Sequence, residues 1–344
     1  MKKTIFLSIV AALLTVAQPA AAQGSLLATL NHNDTIQTFY GYNALSVALD
    51  SAQHGDVITL SPGMFIAKDI TKAVTLRGAG MGIDTDTELT IISGNFTIYS
   101  LSDVPEHLTI EGIYTNNTIT LSRDNTLKNA TFIKCRLRRI DAVAYWEWGY
   151  RYGRSGLENA SFVHCYITER IKLDWDCNAN FLNCYVYDPV CFDGSTSRYT
   201  FQNCVVVDVD ETSVYSSSWQ NCIVINKRSD TAVLDGSNSV RNSVCIGDSV
   251  DVFSNIAASN TYVQNLEDVF LDYKGDYSDD ITFKLTNSAK AKYLGSDGTE
   301  VGIYGGSFPF DPETSTPRIT KCVVAPRSTA DGKLSIDIEV SGAK

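Results

Sequence analysis

Short apolar runs recur along this chain without a helical period. "CYVYD" at 184–188, "CVVVD" at 204–208 and "CIVIN" at 222–226 each follow an aromatic residue, a spacer and an asparagine. Lining them up gives columns. The aromatic column is Phe132, Phe162, Phe181, Phe201 and Trp219, continued by Val240. The cysteine column is Cys135, Cys165, Cys184, Cys204 and Cys222, continued by Ser243, with steps of 30, 19, 20, 18 and 21 residues. Asn183, Asn203, Asn221 and Asn242 form a third column, whose place is held by Lys134 and His164 in the two earlier repeats. A repeat of about twenty residues with strand composition predicts a solenoid, because each unit is too small to bury its own apolar face and must stack on its neighbours. Stacked parallel, the units rise about 4.8 Å per rung. Asparagine suits the bend between strands, since it tolerates a left-handed backbone and bonds locally; stacked amides can also bond along the column. Each cysteine then points inward as a small hydrophobe, and the residue two further on shares its face.

The pattern extends upstream in looser form. "DVITLSPGMF" at 56–65 reads as the first rung, followed by "AVTLRG" at 73–78, "NFTIYS" at 95–100 and "HLTIEG" at 107–112. Before them, "NALSVALDSAQHG" predicts a short helix between Asn43 as N-cap and Gly55 as C-cap. Leu45, Ala48, Leu49 and Ala52 give it one apolar face. A solenoid exposes its core at its ends, so a capping element is expected there. At the other end Pro309, Pro312 and Pro317 mark a linker. "ITKCVV" and "KLSIDIEV" around Asp331-Gly332 then read as a hairpin.

The first residues change how cysteine is read. Lys2 and Lys3, an apolar run and Ala20-Ala21-Ala22 have the form of a signal peptide. The protein is therefore expected to be exported: secreted, periplasmic or at the cell surface, with no membrane insertion. Lys2 and Lys3 are two of the 28 basic residues, leaving 26 against 39 acidic ones and a net charge of −13. Such a chain lacks the footprint of a nucleic-acid binder. Nine cysteines in an exported protein suggest disulfides. Here the column argues for free thiols, because parallel in-register Cβ atoms lie about 4.8 Å apart and a disulfide needs about 3.8 Å.

The stretch "NALSVALDSAQHGDVITLSPGMF" followed by "VTLRGAG" resembles the opening of bacterial right-handed parallel β-helix proteins, the pectate-lyase-like superfamily, and "DDITFKLTNSAKAKYLGSDGTEVGIYGG" at 279–306 resembles the closing segment of many secreted members. The expectation is an all-β protein: a right-handed parallel β-helix with a short N-terminal capping helix and a C-terminal β-hairpin tail. Its parts are a signal peptide (1–22), an N-terminal cap (23–56), the β-helix (57–306), a Pro-rich linker (307–317) and a strand pair (318–344). The superfamily spans lyases, hydrolases, epimerases, adhesins and members without activity, so the fold leaves function open.

The resemblance implies where lyase chemistry would sit: carboxylates on neighbouring rungs holding calcium, and a Lys or Arg as base. Four residues after the cysteine column come Arg139, Glu169, Asp188, Asp208 and Asn226. Glu169, Asp188 and Asp208 are the candidate Ca2+ ligands, against a reading as solvated turn residues. In "RIKLDWDC", Lys172 and Asp174 alternate with apolar residues and are the candidate catalytic pair, although Asp174 would oppose the lowered pKa that a lysine base needs. The Asp-rich strand motif of the lyases is not visible, which leaves enzymatic activity open. The 30-residue step holds the most distinctive stretch, "DAVAYWEWGYRYGRSGLE" at 141–158. Trp146, Trp148, Tyr150, Arg151 and Arg154 are its candidate polysaccharide-binding residues, since aromatic faces stack on sugar rings and arginine pairs with acidic groups. Two classes therefore stand: a non-catalytic polysaccharide-binding protein, and a polysaccharide lyase or related enzyme working in a groove on the β-helix face.

Overall fold

A computed structural model of the chain describes residues 26–83, 89–101, 104–122, 126–142, 145–147, 150–152, 155–173, 178–191, 198–209, 216–227, 238–247, 259–315, 318–324, 331–333 and 336–341. It begins with an antiparallel hairpin, Leu27–His32 with Thr35–Tyr40, whose first strand pairs antiparallel with Val57–Leu60. From Val57–Leu60 onward the pairing is parallel. One sheet runs through Thr75–Arg77, Thr109–Glu111, Thr131–Ile133, Ala160–Val163, Asn178–Leu182, Arg198–Gln202, Ser218–Gln220 and Ser239–Arg241. A second runs from Gly63–Ile66 through Arg136–Ala142, Tyr166–Leu173, Tyr185–Tyr187, Val205–Val207 and Ile223–Ile225 to Thr261–Val263. The chain is a parallel β-solenoid.

The columns stack in the register that the repeat predicts. Phe132, Phe162, Phe181, Phe201 and Trp219 are successive cross-strand partners. The four phenylalanine rings stack face to face at 4.8 Å, and Trp219 lies 4.1 Å from Phe201. The turn to the second sheet is left-handed in every rung from Lys134 (φ 50°) and His164 (φ 53°) through Asn183, Asn203, Asn221 and Asn242 (φ 49–56°). Asparagine recurs there because its short polar side chain tolerates that conformation. Asn129 (φ 52°) and Asn159 (φ 54°) mark a second such corner.

The five column cysteines are free and fully buried. They are more than small hydrophobes. Each thiol donates to two carbonyl oxygens, one on its own rung and one on the rung before: Cys204 to Gln202 O (3.2 Å) and Phe181 O (3.3 Å), with the same pattern at the other four. Ser243 continues it, donating to Arg241 O at 2.9 Å.

Three local expectations need correction. The helix spans Ala44–Ser51 and buries Ala44, Leu45, Ala48 and Leu49 over the first rung. Asn43 makes no side-chain cap bond, however, and Ala52 rather than Gly55 is the C-cap. Gly55 (φ 86°) instead turns the chain into the first rung. The Asn183, Asn203 and Asn221 amides face the C-terminal segment rather than forming a ladder; the amide-to-amide bond occurs at the other corner, Asn159 Nδ2 to Asn129 Oδ1, 2.8 Å.

The third correction concerns where the coil ends. The last parallel strand is Thr261–Val263, and residues 264–315 run back across the outside of the second sheet. The reason lies one residue past the column from Cys165 to Ser243. Tyr166, Tyr185, Val205, Ile223 and Val244 point outward and are apolar, so that face needs a cover. Phe270, Phe283, Leu285, Tyr293, Ile303 and Phe310 supply it. Asn183 Nδ2 donates to Ile303 O (2.7 Å) and Gly305 O (2.8 Å), while Asn221 Oδ1 accepts from Ser296 N (2.9 Å). A side chain at Gly306 would meet Asn203 Nδ2 at 2.1 Å, so the strap must be glycine there. The Pro-rich stretch continues this strap. Thr314, 2% exposed, bonds to Ala79 O, and Ser315 N donates to Glu111 Oε1 at 2.8 Å. Beyond it, Arg318–Val324 and Ile336–Ser341 pair antiparallel as a hairpin.

Candidate functional site

Past the second sheet the longer rungs bend and form a third face. It is made by the distal halves of Tyr114–Leu121, Arg136–Ala142 and Tyr166–Leu173, flanked by Phe96–Ile98 and Pro189–Cys191. Ile119, Leu121, Ile140 and Ile171 turn into the core. Alternation then places Thr118, Thr120, Arg139, Asp141, Arg170 and Lys172 on the outer side.

The strands bend through a register shift between Leu137 and Arg139. Its consequence is local and decisive for the carboxylate column. Arg139 lies opposite Arg170, not Glu169, and Asp141 opposite Lys172. Glu169 is therefore out of line, and it ion-pairs with Arg138 and, at 3.6 Å, with Arg139. Asp141 ion-pairs with Arg139 at 2.7 Å, and that carboxylate is the main reason the Arg139 guanidinium pKa is raised. Arg170 pairs with Asp188 at 2.5 Å. Asp188 (φ 43°) and Asp208 (φ 63°) are successive left-handed turn residues, Asp188 N bonding to Val207 O and Asp208 N to Ile225 O, each 2.9 Å. Both are turn residues, but Asp188 is buried against Arg170 rather than solvated.

A calcium ion does not fit these side chains as they stand, because arginines already engage the carboxylates of Glu169 and Asp188. Among the described residues, no group of three or more His, Cys, Asp and Glu side chains is placed to hold a metal ion. Lys172 lies on the outer face beside Asp141, and its expected partner Asp174 lies outside the described residues.

The long insertion folds as an antiparallel hairpin, Tyr145–Glu147 with Tyr150–Tyr152, in which Trp146 lies opposite Arg151 and Glu147 opposite Tyr150. It starts directly after Ala142, at the end of the third face. Its return strand Gly156–Glu158 is part of a rung and pairs in parallel with Thr126–Lys128. The inserted element is thus shorter than the 141–158 read from the sequence. Of its five candidate residues, Trp146, Tyr150 and Arg151 lie on the two strands, whereas Trp148 and Arg154 are outside the described residues.

Sequence reading missed Arg138, Arg170 and Asp141 as partners on this face. The charge clusters "RLRRID" and "TERIKLD" were the available signal, but the bulge that sets who faces whom has no marker in a single sequence. It also missed that the outer side of the second sheet is taken by the strap.

Among the described residues, two clefts can be placed elsewhere. One of about 420 Å³ is lined by Asn31, His32, His54 and Asp56 beside the N-terminal cap. There His32 Nδ1 meets Asp56 Oδ1 at 2.7 Å, and Asp56 also accepts from Gln53 N at 2.7 Å, which ties the cap to the first rung. The other, about 380 Å³, lies between the last rung and the strap at Tyr262, Lys292 and Tyr293. No described helix is long and apolar enough to cross a membrane. No protein-family model, curated protein or solved structure matches the chain.

Proposed function

We propose that this is an exported member of the pectate-lyase-like β-helix group that binds polysaccharide on the third face and its hairpin, without catalysis. The observation that carries the reading is the hairpin of Tyr145–Glu147 with Tyr150–Tyr152, an aromatic-rich insertion that follows the polar third face in the chain. Insertions on one side of a solenoid are commonly its functional elements. Flat rings at Trp146, Trp148 and Tyr150 would stack on sugar rings, and Thr118 and Thr120 offer hydroxyls along the face.

The charge pattern favours an uncharged glycan. Arg138, Arg139 and Arg170 already face carboxylates, and the whole chain is acidic. A polyanion would have to exchange those pairs against long-range repulsion. Arg151 and Arg154 would give it a foothold at the hairpin alone. Lyase chemistry is the less supported reading, since Lys172 has Asp141 rather than a second cation as its cross-strand neighbour.

The test is a glycan array probed with and without calcium. The proposal expects binding to a neutral polysaccharide, unchanged by chelator. Formation of an unsaturated, ultraviolet-absorbing product from a uronate polymer would replace it with the lyase reading, and no binding to any glycan would end it.

A further inference from the structure

His164 occupies an asparagine position and does an asparagine's job with a titratable ring. It has the left-handed backbone of the column (φ 53°) and is 4% exposed. Asn183, one rung on, holds the strap by donating its amide to two strap carbonyls. His164 holds the next stretch of the same strap with both ring nitrogens. Nε2 lies 3.1 Å from Phe308 O and must donate to it; Nδ1 accepts from Asp311 N at 3.4 Å. Only the neutral ring protonated at Nε2 can do both. Phe310 lies between these anchors, its ring 5.7 Å from the imidazole and 5.2 Å from Tyr166.

We propose that His164 is a pH-sensitive latch that holds residues 308–313 of the strap onto the coil at neutral pH and releases them on acidification. Adding a proton to Nδ1 turns an acceptor into a donor aimed at the Asp311 N–H, so that bond is lost and two donors face each other. The surroundings do not compensate fully. Acting on the ring are Lys134 from the preceding rung, the Cys165 thiol on its own rung, and Asp311 from the strap. Lys134 bonds Asp311 Oδ2 at 3.1 Å and also bonds Glu313 O, so the nearest carboxylate is already engaged by a cation. Burial is the largest cause holding the His164 pKa below its ordinary value, and Lys134 adds to it. The sign follows: the latch is fully made above the unfolded histidine value of about 6.5 and weakens as pH falls below it. The release is local: the apolar cover from Phe270 to Ile303 stays down, and Thr314 and Ser315 keep their bonds to Ala79 O and Glu111.

Hydrogen exchange of the Phe310, Asp311 and Glu313 amides in the whole protein tests this, measured from pH 7.5 to 5 and corrected for the intrinsic pH dependence of exchange. The wild type should show opening that increases by up to about tenfold per pH unit below about 6.5, the limit for one proton. His164→Asn, which restores the column residue, should hold the strap and show no such dependence. Equal dependence in the variant would assign the effect to another group and overturn the proposal. A second reading needs no variant: a His164 imidazole that titrates by NMR at or above the ordinary histidine value, or a flat wild-type profile, also overturns it.

Discussion

The buried thiol is the residue that most shapes this coil. Its position in a repeating column was readable, because period and burial follow from spacing alone. Its bonding was not, since the carbonyls that accept it belong partly to the previous rung. That changes the expected cost of substitution. A hydroxyl at position 204 inherits acceptors at Gln202 and Phe181, as Ser243 does at its own rung. Cys204→Ser should therefore lower stability by only about 1 kcal/mol, whereas Cys204→Val, which overfills the column and removes the acceptor of the Cys184 N–H, should cost about 1–3 kcal/mol. Urea denaturation midpoints of the two variants check the order; a serine variant worse than the valine one would contradict it. Burial pushes the thiols of Cys135, Cys184 and Cys222 up, and that of Cys245 to about 12. Against burial, hydrogen bonds from neighbouring column thiols lower those of Cys165 and Cys204, so inertness rests on inaccessibility: the six buried free cysteines should resist alkylation at pH 8 in the native protein and react after unfolding, as read by mass spectrometry, and native labelling of the column would show the packing to be wrong.

Among elements, the strap departs furthest from what the sequence suggested. Pro309 and Pro312 look like a linker, yet a proline lacks only a donor and can lie flat on a surface whose neighbours are satisfied by side chains. The asparagine column reads as a turn signal, and its second role, gripping a segment 75 to 122 residues away, leaves no local trace. Asn183→Ala removes both grips and leaves alanine in a left-handed backbone. It should destabilise by roughly 2–4 kcal/mol, combining lost hydrogen bonds with backbone strain. Asn183→Gly keeps the backbone and loses only the bonds, so it should fall between wild type and alanine in thermal unfolding. Equal midpoints for all three would mean the strap does not depend on this contact. The carboxylate column failed as a prediction for an equally physical reason: one extra residue in Tyr166–Leu173, between Ile167 and Arg170, shifts its later side chains against those of Arg136–Ala142.

At the scale of the molecule, the coil is a scaffold with three differently treated sides. The first sheet displays its short strands, the second is covered by the chain's own return segment, and the third is polar and ends at the aromatic hairpin. The architecture was legible because stacked rungs repeat their columns. The binding proposal depends on an insertion, where repetition stops and the sequence can report composition but not shape. The most direct test is a binding titration of a neutral polysaccharide, chosen from the array, against the wild type and a Trp146→Ala/Trp148→Ala variant, with circular dichroism and melting recorded for both. The account predicts an unchanged β-rich spectrum, a melting shift within a few degrees, and affinity reduced at least about tenfold, the loss of one or two stacked rings at 0.5–1.5 kcal/mol or more each. Undiminished affinity in a folded variant would remove the hairpin from the site, and an unfolded variant would show that its rings belong to the packing of the coil.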